Sequence, residues 1–233
     1  MRLDRYLSHV TDLTRAQAQR SIRSGAVIVD GVTTTDPARH LTPSNAVVHK
    51  GERLSWPQPR YFMLHKPSGY VCTARDARHR SAVDLLDEPR KRDLHCVGRL
   101  DLDTTGLVLI TDDGEWSHGI TAPRRAVEKV YRVTLADILT KEAAQVLCSG
   151  VQLRGEPQPC RPAKLEACGQ TEWRVTLTEG KYHEVKRLFA AVGNHVLSLH
   201  RERIGAVQLD SGLDAGGYRP LAAHEVECLR AKS

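Results

Sequence analysis

The first apolar pattern along the chain is helical. Leu3, Tyr6, Leu7 and Val10 fall at i, i+3, i+4 and i+7 and mark one face of a short helix. Thr14 stands where an N-cap belongs ahead of a second helix over 15–24, and Gly25 is placed to end it. On that helix Ala18 and Ile22 face inward, while Arg15, Gln19 and Arg23 share another face with Arg20 beside it. The pattern then turns to strands at 26–29 and 32–35, separated by Asp30-Gly31. Asp-Gly between two β-prone runs predicts a tight hairpin, because a type I′ turn needs positive φ at both central residues. Residues 46–49 offer one more short strand. Ser55-Trp56-Pro57-Gln58-Pro59 can continue neither a helix nor a central strand. It reads as a linker, with a small module over 1–54 before it and a larger domain over 60–233 after it.

In the larger domain the pattern predicts strands at 61–64, 70–73, 106–111, 130–135, 164–167, 173–178, 195–200 and 206–209. Arg174-Val175-Thr176-Leu177 alternates with period 2, as a half-solvated strand should. Helices are predicted at 114–121, 140–149, 182–192 and 222–231. In the third, Val185, Leu188, Phe189 and Val192 form an apolar stripe, and Gly193 follows it. Many strands with occasional helices, and no regular βαβ rhythm, place the domain in the α+β class.

Charge adds a direction. Lys+Arg 34 against Asp+Glu 28 gives a net charge of +6, and residues 1–59 alone carry eight Lys/Arg and five acids. A basic surplus favours a polyanionic partner, since cations that neutralise phosphates release condensed counterions. The arginines of the second helix are then either a solvated face or a docking face. No apolar run approaches the roughly 18 residues a membrane span needs, and the N-terminal Met1-Arg2-Leu3-Asp4-Arg5 lacks an apolar signal core. The six cysteines include no C-x-x-C pair, so neither a zinc knuckle nor a disulfide framework is expected. Scattered thiols in a reducing cytoplasm are the expectation.

The stretch that stands apart is Gly98-Arg99-Leu100-Asp101-Leu102-Asp103-Thr104-Thr105-Gly106, running into Leu107-Val108-Leu109-Ile110-Thr111-Asp112-Asp113-Gly114. A polar loop with two acids enters an apolar strand, and loops held on a rigid strand are where catalytic groups tend to sit. Its residues alone leave three readings open. Asp101 and Asp103 cap backbone N–H groups in a turn; or Asp101, Asp103, Asp112 and Asp113 ligate Mg²⁺ for phosphoryl chemistry; or one aspartate acts on a sugar or base while a cation keeps it ionised.

That stretch resembles the active-site motif of the pseudouridine synthases, within them the bacterial small-subunit (16S) rRNA enzymes and their large-subunit relatives. Three further segments match in order. Arg60-Tyr61-Phe62-Met63-Leu64-His65-Lys66-Pro67-Ser68-Gly69-Tyr70-Val71 is similar to the family's opening strand with its K-P-x-G turn. Lys129-Val130-Tyr131-Arg132-Val133 is similar to its K-x-Y-x-V segment. Glu179-Gly180-Lys181-Tyr182-His183-Glu184-Val185-Lys186-Arg187-Leu188-Phe189 is similar to its basic helix motif. The two small helices and hairpin at the start resemble an S4-type RNA-binding domain. With the late His200-Arg201-Glu202-Arg203-Ile204-Gly205, the likeness covers nearly the whole chain.

The resemblance implies a mixed, mainly antiparallel catalytic sheet with flanking helices behind an S4-like domain. It implies isomerisation of a uridine in 16S rRNA, with position 516 as the target of the most similar members. Asp101 would be the catalytic aspartate, Tyr131 would stack on the target base, and Lys186 would pair with Asp101. Arg99 would hold the flipped nucleotide or its phosphate, and Arg2, Arg15, Arg20, Arg23 and Arg187 are the further expected RNA contacts. His183, His195 and His200 are read as structural or RNA-contacting. No metal or organic cofactor is expected, the partner is ribosomal RNA or an assembling particle, and a monomer is the default. Two departures from the family pattern stand out: Glu184 where Gln is expected, and the basic loop Arg75-Asp76-Ala77-Arg78-His79-Arg80. The competing expectations are a large-subunit rRNA target, a non-catalytic RNA-binding or assembly protein indifferent to Asp101, and a metal-dependent nuclease.

Overall fold

The computed structural model describes residues 1–73 and 76–230. Arg75 of the basic loop and the last residue of the predicted helix 222–231 lie outside them. The chain divides into two compact units, 1–58 and 59–233.

In the first unit, α1 (Leu3–Val10) and α2 (Arg15–Arg23) share a core with an antiparallel sheet. Its strands are β1 (Val27–Val29), β2 (Val32–Thr33), β3 (Val47–His49) and β4 (Glu52–Leu54), in the order β2-β1-β3-β4. Thr14 caps α2 in a reciprocal box: its hydroxyl accepts from the Gln17 N–H, and the Gln17 side chain accepts from the Thr14 N–H. Asp30 and Gly31 both have positive φ, as the hairpin requires. The unforeseen β4 is reached through the same device at Lys50-Gly51, also both at positive φ. Asp4 is fully buried at the start of α1. Burial opposes its charge, but bonds from Arg2, Gln19 and Arg15 outweigh that and hold its carboxyl well below the usual range.

The second unit runs β5 (Tyr61–Lys66), β6 (His95–Cys96), β7 (Thr105–Thr111), α3 (Gly114–Thr121), β8 (Lys129–Leu135), α4 (Lys141–Ser149), β9 (Lys164–Ala167), β10 (Glu172–Leu177), α5 (Glu184–Ala191), β11 (Val196–Ile204), β12 (Val207–Gln208), β13 (Tyr218–Pro220) and α6 (Ala223–Leu229). The main sheet has the order β13-β5-β7-β11-β8-β10-β9, with β6 on β7 and β12 on β11. Only the β7–β11 pairing is parallel among the described strands. The sheet is therefore mixed and mainly antiparallel.

Both faces of its centre are covered. Phe62, Leu64, Val108 and Ile110 face a core that includes Leu147 of α4 and Leu188 and Phe189 of α5. Met63, Leu107 and Leu109 face a second core with Trp116 and Ile120 of α3 and Val226 and Leu229 of α6. Successive side chains point to opposite faces, so a strand covered on both sides reads as the continuous apolar run Leu107–Ile110.

Residues 70–73 are not a strand. Gly69, at positive φ, turns the chain away from the sheet, and its N–H is taken by the Leu102 carbonyl. Val71 then keeps only a bridge to Ser81. The strand predicted at 195–200 runs from Val196 to Ile204 with two register shifts against β8. The helix predicted at 182–192 begins at Glu184, because Tyr182 and His183 belong to the preceding loop.

Candidate active site

A cleft of about 370 Å³ opens in the second unit, walled by the loop after β6, strand β8 and the loop that enters α5. Asp101 lies in it. The loop carrying Asp101 is pinned from beneath by main-chain bonds. Lys66, fully buried at the end of β5, donates from Nζ to the carbonyls of Thr104 at 2.7 Å, Pro67 at 3.0 Å and Leu102 at 3.4 Å. Burial draws the lysine below its ordinary value, and nearby anionic groups act against that shift. The Leu100 N–H meets Cys72 Sγ at 3.3 Å. Cys96 beside it lowers the Cys72 thiol, against the effect of burial. The K-P-x-G segment thus builds the floor under the aspartate loop.

Gly106 opens β7 at φ +105°, against Arg201 of β11. A Cβ there would lie 2.6 Å from the Arg201 nitrogen and closer still to its carbonyl oxygen. Only glycine lets the two strands approach so closely just behind the aspartate loop.

Around Asp101 stand two nitrogenous side chains, one to each oxygen. His183 Nε2 is 3.4 Å from Oδ1 and Lys186 Nζ is 3.6 Å from Oδ2. Lys186 binds Asp103 more closely, at 2.6 and 2.8 Å, and that bond lowers the Asp103 carboxyl. The lysine therefore bridges Asp101 and Asp103 instead of serving Asp101 alone. Tyr131, almost buried on β8, lines the cleft with Leu199 and Val185.

Arg201 and Lys129 are lining cations to which the residue pattern assigns no role. Arg201 is 2 % exposed; its Nε donates to the Leu107 carbonyl at 2.8 Å, and its Nη2 is buried with no partner among the described residues. Lys129, on the face of β8 that bears Tyr131, is drawn down by burial and by Arg201. The strand pattern marks neither: Lys129 begins β8, and Arg201 stands among His200, Glu202 and Arg203.

The expected RNA contacts divide by environment. Arg99 is exposed at the cleft and makes no side-chain bond among the described residues. Arg20 and Arg23 are exposed and likewise unpaired among them. Arg2 and Arg15 are exposed too, but both bind Asp4. Arg187 is engaged within the protein: it reaches Glu156 at 2.6 Å, the Arg154 carbonyl at 2.7 Å and the Tyr182 carbonyl at 3.0 Å. It ties the loop at 154–156 to the loop entering α5.

The remaining acids of the motif serve the fold. Asp112 accepts from the Arg60 backbone and guanidinium, both at 2.8 Å. Asp113 caps α3 and accepts from the Tyr61 hydroxyl. His200 meets Thr105 at 2.8 Å, and His195 is exposed. Among the described residues, the one group with metal-ligand proximity is Cys160, Glu179 and Glu184, outside the aspartate motif. Glu184 is 5 % exposed and accepts from the Lys181 N–H. Burial first, and Glu179 second, push its carboxyl up to about 7. A protonated carboxyl is close in shape and bonding to the carboxamide of the glutamine expected there.

Residues 60–191 match the family model described as RNA pseudouridylate synthase, and residues 1–47 match that of the S4 domain. The chain is 49% identical over 227 residues to the ribosomal small subunit pseudouridine synthase A of Escherichia coli (strain K12), covering 97% of this chain and 98% of that one. It is 48% identical over 226 residues to the protein of the same name from Vibrio cholerae, with the same coverage. A solved structure titled "Crystal structure of pseudouridylate synthase" superposes with a TM-score of 0.71 at 44% identity, over 98% of this chain and 99% of that one. The aspartate loop, the cleft and these full-length likenesses agree: the chain belongs to the RNA pseudouridylate synthase family.

Proposed function

We propose that this chain isomerises one uridine of small-subunit ribosomal RNA to pseudouridine, with Asp101 as the catalytic carboxylate. The observation that carries the reading is the placement of Asp101 in a cleft of small-ligand size, between His183 and Lys186 and in the same cleft as Tyr131. The reaction breaks the C1′–N1 bond, turns the base and joins C1′ to C5. The proton on C5 leaves and N1 gains one, so composition and oxidation level are unchanged. Whether it attacks C1′ or takes a proton from the sugar, the carboxylate must be ionised. Burial alone would oppose that, and the neighbouring Lys186 ammonium favours it. The steps call for no metal or organic cofactor.

The uridine must leave its stack to reach the cleft, at a cost of a few kcal/mol. Tyr131 offers a ring to receive it, and Arg99 an exposed cation for its phosphate. We read residues 1–54 as an S4-like docking domain, 55–59 as the linker and 60–233 as the catalytic domain, acting as a monomer in the cytoplasm. The free Arg20 and Arg23 are the docking cations best placed to meet RNA, with Arg2 and Arg15 beside them around Asp4. Small-subunit rRNA is favoured by the names of the full-length relatives, and position 516 by the likeness of the motifs.

The test is chemical mapping of pseudouridine in unmodified small-subunit and large-subunit rRNA incubated with the protein in chelator. A single new pseudouridine in the small-subunit RNA is expected. Modification of the large-subunit RNA alone would transfer the substrate to that particle.

A further inference from the structure

Tyr182 is the only aromatic side chain among the strongly exposed large apolar residues of the described chain, at 66%. It lines the cleft that holds Asp101. Its ring is not loose. It stacks on the His183 imidazole, with centroids 3.8 Å apart and planes 20° apart. His183 in turn touches Asp101, and its backbone is held at φ +49°, a conformation a non-glycine residue adopts at some cost. Arg187 fixes the Tyr182 carbonyl from behind. The ring is thus carried on a pinned loop, with one face on the imidazole and the remainder open.

Resting on the pseudouridine synthase reading, we propose that Tyr182, backed by His183, is a second stacking site that takes the base next to the target uridine. Tyr131 lines the same cleft and is almost buried, so it can meet only a base that has entered. Tyr182 is exposed and cannot enclose the reacting base, but its open face suits a neighbour drawn out of its helix as the target flips. The surroundings fit an RNA strand: Arg99 is exposed at the cleft with no side-chain bond among the described residues, whereas Lys129 and Lys181 line it with their ammonium groups held by backbone carbonyls. Stacking on the face of a base needs no hydrogen-bond match, so this site stabilises the opened strand without dictating which base it holds. A strand held at two successive bases is bent away from helical stacking, which favours a loop or bulge as substrate over a continuous duplex.

The experiment uses the full chain and a small-subunit rRNA fragment containing the modified uridine. Each flanking base is replaced in turn by 2-aminopurine, whose fluorescence falls on stacking, or by an abasic residue. Quenching at one flanking position is expected with the wild-type protein. Tyr182→Leu, which keeps apolar bulk but loses the ring face, should abolish that quenching and lower kcat/KM about tenfold or more. Tyr182→Phe should restore both. On the RNA abasic at that position, wild type and Tyr182→Leu should react equally, since the stacking partner is gone. A Tyr182→Leu defect of undiminished size on every abasic RNA would overturn the proposal, because the ring would then act on the target itself. Wild-type levels of quenching and activity in Tyr182→Leu would overturn it equally. Failure of the wild-type protein to modify the intact fragment would instead remove the substrate reading, and this inference with it.

Discussion

Glu184 shows how one residue sets a pH response. Its folded carboxyl holds a proton to about 7, whereas an unfolded glutamate releases it near 4.5. Below the lower value both states are protonated and the group is neutral in the balance. Between the two values the folded state binds the extra proton, so stability falls as pH rises, and above about 7 the loss is complete. Glu184→Gln does not titrate and can donate an amide hydrogen toward Glu179. The variant's advantage over wild type should therefore grow by about 3 kcal/mol between pH 4.5 and pH 8 in denaturant titrations. A gap that stays constant with pH would contradict the assignment. The sequence pointed to Glu184 only as a departure from a pattern. Its burial beside Glu179 and Cys160 depends on how the 179–184 loop meets the segment that carries Cys160. Asp101 was legible because its motif is contiguous. The contact of His183 with Asp101, the split allegiance of Lys186 and the burial of Arg201 were not, because each depends on side chains distant in the chain.

At the scale of elements, the motif glycine and the buried lysine explain why the loop keeps its shape. Gly106→Ala would drive a methyl group into the Arg201 backbone at a positive φ. It should cost about 3 kcal/mol or more, read as a lowered unfolding midpoint, with activity lost in parallel. Wild-type stability in the Gly106→Ala variant would show that β7 and β11 can separate freely. Elements with a strong period were legible from sequence: the face of α1, the stripe of α5 and the doubly buried β7. The short edge pieces were not. Cys96 of β6 pairs only through a two-residue ladder, and β13 contains a proline, so neither has a periodic signature. The apolar run at 70–73 misled because its side chains are needed to pack behind the aspartate loop, where Cys72 meets Leu100.

For the whole molecule, the charge surplus and the S4-domain match support the proposal that the protein meets RNA first through its phosphates. Arg20→Ala combined with Arg23→Ala should weaken RNA binding and reduce the slope of log affinity against log salt by about 1 to 2, with kcat unchanged at saturating RNA. An unaltered salt slope would show that α2 does not face phosphate. Arg15 is a poorer probe, since it also neutralises the buried Asp4 and its loss would disturb the fold. The prolines at 57 and 59 fall at the boundary between the compact units 1–58 and 59–233. Catalysis by Asp101 is the claim on which all else depends, and one comparison tests it most directly. Unmodified small-subunit rRNA is saturated with wild-type protein or with Asp101→Asn, and pseudouridine is mapped in both after equal binding has been verified. The account predicts one new pseudouridine with wild type and none with the variant; conversion by Asp101→Asn at a rate near wild type would contradict it.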